Sequence, residues 1–557
     1  MFKDGKGVLN ASRAERLVRK PVDRLSRLIR ERYWDELTRT IDERGMDAFT
    51  RGGKESGRLI IFVPHTDPLS LDYFTHLAAQ RPEWKLEVCL LPENVRENPG
   101  ALLSEPSGLL GLGLRRSATG KVAGVPFVAP CEHHNELRAW DSYFIVSGLL
   151  KDGRVELARA IVDNCVYEVE HYGAVLSSNH ASELGQFHPS LLSSMAAACY
   201  GRLPRDASTR KWLSDALCAA IAEYRNVWLN PRTICECGLS CYPGNRGTVD
   251  RRSHLRDAAP RLRALRAGAV GRRGNGGTRL TIRRDHARSQ ARESKGLTPP
   301  AGISRQAIRD SSDLAPLDLN TMLYKLESDI ASVLAGEFRG KLSRPDGTIE
   351  YASTWRAFAA KRKILIRRYL WNAHQGVFLD YDWRRGVQGS FIGATSFYPL
   401  WAGLATRKQA EQIVHSVLPL LEGPGGLMSS PIKGTRVSEG NSSAWTIPYG
   451  WAPHQILLWQ GLIDYGYADI ARRLAYKWVY GVTLHALKYD GELPDKIDVG
   501  SVGGSRLSES ENPDVEFSSS ARGGYGWTNA SYQIGVNLLT RQMLEDVNRL
   551  VPGNLIF

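Results

Sequence analysis

The sequence predicts an all-α fold, and two observations carry the prediction. Apolar residues return at three- and four-residue spacing in one segment after another, and strand alternation is found mainly before residue 130. Over residues 155–173, Val155, Ala158, Ile161, Val162, Cys165, Val166 and Val169 line one face of a helix. The pattern recurs over residues 319–336, 407–423, 453–488 and 530–551. Glycine-rich aromatic loops lie between these segments: FIGATSFYPLWAGLA, IPYGWAP and FSSSARGGYGWTNAS. Loops on a rigid scaffold are where binding groups concentrate, and aromatic loop mouths suit a sugar pocket.

A chain of 557 residues with 42% hydrophobic and 24% charged residues has material for a large core, which excludes disordered and fibrous classes. No run reaches the ~18 apolar residues of a membrane span, and the start, MFKDGKGVLNASRAERLVRK, is too polar for a secretory segment. The expectation is an intracellular, cytoplasmic protein with no membrane partner. Eight cysteines in so long a chain make no disulfide scaffold and are expected as free thiols.

The net charge of +14 is local. Residues 251–310 hold 15 Arg and one Lys against four acids, which accounts for +12 of it. That stretch lacks interleaved aromatics, so nucleic acid is not an expected partner. Residues 243–312 show neither period and read as an Arg/Gly-rich irregular insert, or as an artefact of gene prediction.

Standard catalytic motifs are missing: there is no GxxxxGK[ST], GxSxG or HExxH. GLLGLGL at 108–114 reads as a flexible apolar turn rather than a dinucleotide loop. Cys235, Cys237 and Cys241 form CxCxxxC, which needs a fourth donor from elsewhere to hold zinc. No metal or other cofactor is expected.

Together, the aromatic loops resemble the trehalase family, most closely its fungal neutral members. AWTIPYGWAPHQ at 444–455 is similar to the family signature QWDxPxGWAP, and HNELRAWDSYFIVSGLL at 134–150 to PGGRFxExYxWDSY. Residues 21–39, 316–331, 396–414 and 523–535 extend the likeness, which runs from about residue 20 to 540 around the basic insert. The resemblance implies an (α/α)6 toroid over residues 121–557, with residues 1–120 a short mixed region packing on it. It implies cofactor-free cleavage of trehalose into two glucoses with inversion. Fungal members carry a calcium-linked extension ahead of where this chain starts, so no calcium switch is expected.

Inverting hydrolysis requires a general acid and a general base, roughly 6.5–9.5 Å apart. The family's base is the acidic residue of E/D-G-F-G-W-x-N, and its position here is Gly523. The acid falls near Gly302, where no carboxylate lies between Glu293 and Asp310. The expected sugar-binding residues are Glu136, Trp140, Asp141, Asn179, Arg292, Trp445, Trp451 and Trp527. Other pocket positions are altered: His133, His134, His180, Gln186, His188, Cys241 and Thr446 replace family residues, Arg among them, and Asp495 replaces a Glu. Their imidazoles and thiols are metal-ligand types, but Arg to His or Cys is a one-base change that drift alone produces.

The leading expectation is a trehalase homologue that is weak or inactive toward trehalose and binds a small molecule such as a disaccharide. Alternatives are an active trehalase with substitute carboxylates (Asp310, Asp313, Asp514, Glu516), a recruited enzyme of metal-dependent chemistry, and a regulatory partner of an active trehalase. A homo-oligomer is a further expectation.

Overall fold

The computed structural model describes residues 20–46, 59–93, 95, 108–242, 313–431, 448–500 and 521–557. Its helices are α1 (Pro21–Leu28), α2 (Pro68–Gln80), α3 (Ala139–Lys151), α4 (Val155–Tyr172), α5 (Leu192–Tyr200), α6 (Ala207–Glu223) and α7 (Leu317–Glu337). They continue with α8 (Ala352–Tyr369), α9 (Tyr398–Trp401), α10 (Arg407–Ser416), α11 (Ala452–Asp464), α12 (Ala468–Lys488), α13 (Gly526–Leu538) and α14 (Arg541–Asn548). Helix α1 runs on through a π-helical turn, Ile29–Tyr33, into Trp34–Leu37.

Six helices close into a ring. Helix α3 packs on α5, α5 on α7, α7 on α9, α9 on α11, α11 on α13, and α13 returns to α3. Between successive members the chain makes an outer helix, α4, α6, α8, α10 or α12, while α1 and α14 pack behind α12. The inner helices therefore all run the same way and present their N-termini at one end. This is the (α/α)6 toroid.

Local chemistry sets the helix ends. Asp206 with Thr209, and Thr406 with Gln409, form capping boxes at α6 and α10. Gly173 ends α4 in the left-handed conformation, φ 89°. Pro419, which has no N–H to donate, splits the segment at 407–423 into α10 and the turn Leu418–Leu421. The long period at 453–488 is likewise two helices, broken at Gly466, and residues 530–551 fall in α13 and α14, the latter capped by Thr540.

The core is a continuous apolar layer between the two rings, with Trp228, Trp355, Trp459 and Trp478 fully buried. Ring closure depends on a small residue: a Cβ on Gly148 of α3 would stand 2.6 Å from Ala530 Cβ on α13.

Strands are short. Leu59–Val63 (β1) pairs in parallel with Leu86–Leu90 (β2) and Leu109–Leu110 (β3). GLLGLGL is thus no flexible turn: Leu110 is fully buried and the segment edges this sheet, because its leucines pack on β1. Elsewhere among the described residues the strands pair mostly as two-residue or three-residue antiparallel ribbons.

Candidate active site

At the N-terminal end of the inner ring, loops lead directly into α3, α7, α9, α11 and α13. Each delivers polar or aromatic residues to the same mouth.

One wall is built where α3, α11 and α13 begin. The ribbon Tyr449–Trp451 pairs antiparallel with Lys496–Asp498, placing Lys496 Nζ 4.3 Å from the Tyr449 ring centre and 5.2 Å from that of Trp451. Trp451 and Trp527 meet edge to face at 5.8 Å, and Trp527 Nε1 donates to the Asp495 carbonyl at 3.1 Å. Beside them, Asp141 is 8% exposed on the first turn of α3. Burial raises its carboxyl to about 6, although Arg138 and His134 pull the other way. Burial also raises Asp495, opposed by Lys496 and reinforced by the like charge of Asp141. Lys496 is lowered by the same burial. Burial and mutual repulsion thus keep both carboxyls protonated to higher pH than a free aspartate.

Asp318 and Asp380 make a second carboxyl pair at the start of α7. Burial, then Asp380, pushes Asp318 up to about 8. Asp318 Oδ1 accepts from Leu319 N at 2.6 Å, and Asp380 Oδ1 from Leu317 N at 2.8 Å, at the positive end of the helix. Tyr242 and Tyr398 face this pair, and Tyr398 Oη lies 3.2 Å from His454 Nδ1.

The sequence-predicted positions divide. Asp141, Trp451 and Trp527 come together at the wall through Asp495, while Trp140, on the first turn of α3, is half-buried edge to face against Phe144. Asn179 does not face the mouth. It is fully buried, its Oδ1 accepts from Leu137 N at 2.8 Å and its Nδ2 donates to the Leu110 carbonyl at 3.0 Å, tying the loop to β3. Glu136 accepts from Asn135 N at 3.0 Å; burial would raise it, but His134 and Arg138 outweigh that and hold it down at about 2. Arg292, Gly302, Trp445, Thr446, Asp310, Asp514, Glu516 and the insert 243–312 lie outside the described residues.

The altered positions do not converge on a metal. His133 is exposed beside Glu132 and His134 lies 3.5 Å from Glu136. His180 Nδ1 pairs with Ser182 at 2.6 Å, and half-buried His188, lowered to about 4 by burial, packs on Tyr242. The Gln186 backbone holds Ser177, while Cys241 is buried among other thiols. Among the described residues no three His, Cys, Asp or Glu side chains are grouped to hold a metal. Asp313, one substitute carboxylate, is bound to Arg384 at 2.7 Å on the surface.

Gly523, three residues before α13, has φ +70° and its carbonyl accepts from Asn529 Nδ2 at 2.9 Å. A Cβ there would meet Glu36 Oε2 at 3.1 Å and Glu36 Cβ at 3.4 Å. A side chain at 523 would therefore lie against Glu36 and Leu37 of the N-terminal segment, with the Glu36 carboxylate giving way by a few tenths of an ångström. The sequence singled out none of Arg138, Asp318, Asp380, Tyr242 and His454 as site residues, although Arg138, Asp318 and His454 lie inside the motif-like stretches; Asp318, Asp380, Tyr242 and Tyr398 interact with one another, and Arg138 acts on Asp141.

A family profile described as Trehalase matches residues 1–540. The cytosolic neutral trehalase of Emericella nidulans is 35% identical over 97% of this chain and 75% of its own length, and that of Saccharomyces cerevisiae is 31% identical over 96% and 74%. The solved structure of the neutral trehalase of Saccharomyces cerevisiae superposes with a TM-score of 0.77 at 29% identity, covering 96% of this chain and 97% of that one. Among the described residues no helix is long and apolar enough to cross a membrane. With the ring, its mouth and these likenesses in agreement, the chain belongs to the trehalase family and is a glycoside hydrolase homologue of that fold.

Proposed function

We propose that this protein binds a disaccharide of the trehalose type at the mouth of the ring, in the cytoplasm, and hydrolyses it weakly or not at all. The compartment follows the names of the relatives, which are cytosolic. Gly523 is the observation that carries the reading. Inversion needs a carboxylate to take a proton from water. Glycine has none, and its left-handed φ strains any replacement there, with Glu36 to be moved aside besides. What supports binding is the wall, where the indoles of Trp451 and Trp527 would meet the apolar face of a sugar ring and Asp141, Arg138 and Lys496 its hydroxyls. The test is trehalose binding by calorimetry alongside glucose release by the purified chain. Binding without release is the expected result, and release at a rate typical of a family enzyme overturns it.

A second reading, residual hydrolysis through substitute acids, is favoured by the carboxyl of Asp141, raised to about 6 beside Asp495. Protonated there, Asp141 is a competent proton donor. Hydrolysis that disappears in Asp141→Asn while binding persists would select this reading.

A further inference from the structure

A cluster of thiols lies outside this chemistry, where Ile234 and Ser240 bridge across a tight loop. Cys235 N donates to the Leu239 carbonyl at 2.9 Å, and Gly238 N to the Cys235 carbonyl at 2.8 Å, so the loop doubles back on itself. The sulfurs of Cys235 and Cys237 lie 3.6 Å apart, and Cys241 is within hydrogen-bonding reach of Cys235. The stem is rigid: Ser240 N donates to Asn320 Oδ1, Asn320 Nδ2 to the Ser240 carbonyl, and the buried Arg362 to Ser240 Oγ. The tip is open, with half-buried Cys237 between exposed Glu236 and Gly238.

We propose that Cys237 and Cys235 form a site of reversible oxidative modification, at which an oxidant of the hydroperoxide class joins the two thiols in a disulfide. Cys237 as thiolate attacks the terminal peroxide oxygen; the O–O bond breaks, the leaving oxygen takes a proton and departs as water or alcohol, and Cys237 holds a sulfenic acid. Cys235 then gives up its proton and attacks the Cys237 sulfur. The S–O bond breaks and water leaves. With hydrogen peroxide the sum is two thiols and one peroxide going to one disulfide and two waters. The sulfurs must close from 3.6 Å to about 2.05 Å, a movement the open tip can make while the stem holds Cys235 in place.

The environment divides the roles. Cys237 is lowered, chiefly by its contact with Cys235, which favours its thiolate over that of the other cysteines. Cys235 is raised by Cys237 and Cys241 and waits as the resolving thiol. Cys131, Cys199 and Cys218 are all raised to about 11 or 12 by burial and compete poorly. A disulfide across one intervening residue is strained, and a dithiol reduces it readily.

The test uses the full, reduced chain and one equivalent of hydrogen peroxide. Cleavage after Glu236 and Leu239 puts each of the three cysteines on its own fragment. The proposal expects fragments joined through Cys235 and Cys237, with two hydrogens lost and restored by dithiothreitol. In Cys237→Ser the joined species is absent, and alkylation of untreated protein at neutral pH is at least ~10-fold faster at Cys237 than at Cys131 or Cys199. A Cys235–Cys241 linkage that leaves Cys237 free, or intact thiols at peroxide levels that already oxidise methionine, overturns it. The alkylation rates need no variant, so a misfolded substitution cannot mask the answer.

Discussion

At Gly523 the backbone decides more than the missing side chain does. With φ +70°, any L-residue is strained there by about 1–2 kcal/mol. Gly523→Ala should therefore lower stability by about that much, read as the urea midpoint, and an unchanged midpoint would show that the loop relaxes freely. Restoring a carboxylate by Gly523→Glu alone meets the same strain and Glu36 besides. Asp318 gives a pH test. Its folded value, about 8, lies above the ordinary 3.8, so the stability it contributes is fully present below about pH 4 and is lost as pH rises through 8. Wild type should lose stability progressively between about pH 4 and pH 8 and level off above that. Asp318→Asn, which mimics the protonated acid, should lose less, and parallel melting curves for the two proteins would refute the assignment. For Asp141 the corresponding window ends near 6, so any residual hydrolysis that uses it as proton donor should fall as pH rises through that value.

Among the elements, α7 and α8 are joined by a buried ion pair that also reaches the thiol loop. Arg362 Nε binds Glu327 Oε1 at 2.7 Å, Nη1 reaches Ser240 and Asn320, and Nη2 lies 3.3 Å from Tyr224 Oη. Removing one partner leaves the other charge buried, so Arg362→Ala should cost about 3–5 kcal/mol in denaturant unfolding. A loss below about 1 kcal/mol would mean that water compensates the remaining carboxylate. The contact of α3 with α13 is as demanding: Gly148→Val should destabilise by about 1–3 kcal/mol through overpacking against Ala530. A neutral result in thermal melting would show that the ring opens to accommodate it.

For the whole molecule, helical period, aromatic loops and motif likeness made the toroid legible in the sequence. The long amphipathic runs α4, α7 and α12 read directly because each turns one apolar face to the core. The four-residue α9 was not separable, since its period is too short to register, yet it is a member of the inner ring. At the mouth, the tryptophans and Asp141 were legible through the family motifs. Asp380 and His454 were not, because their chemistry comes from burial beside Asp318 and Tyr398, far away in sequence. The amide of Asn179, expected at the pocket, satisfies backbone groups that only the folded loop brings near. We propose a trehalase-family ring that binds a sugar at its mouth without the family's catalytic base. Glucose release from trehalose, followed between about pH 4 and 8 on protein shown by calorimetry to bind the sugar, tests it most directly. The account predicts binding with release absent or far below that of an active family member assayed beside it, and turnover equal to that enzyme's would contradict it.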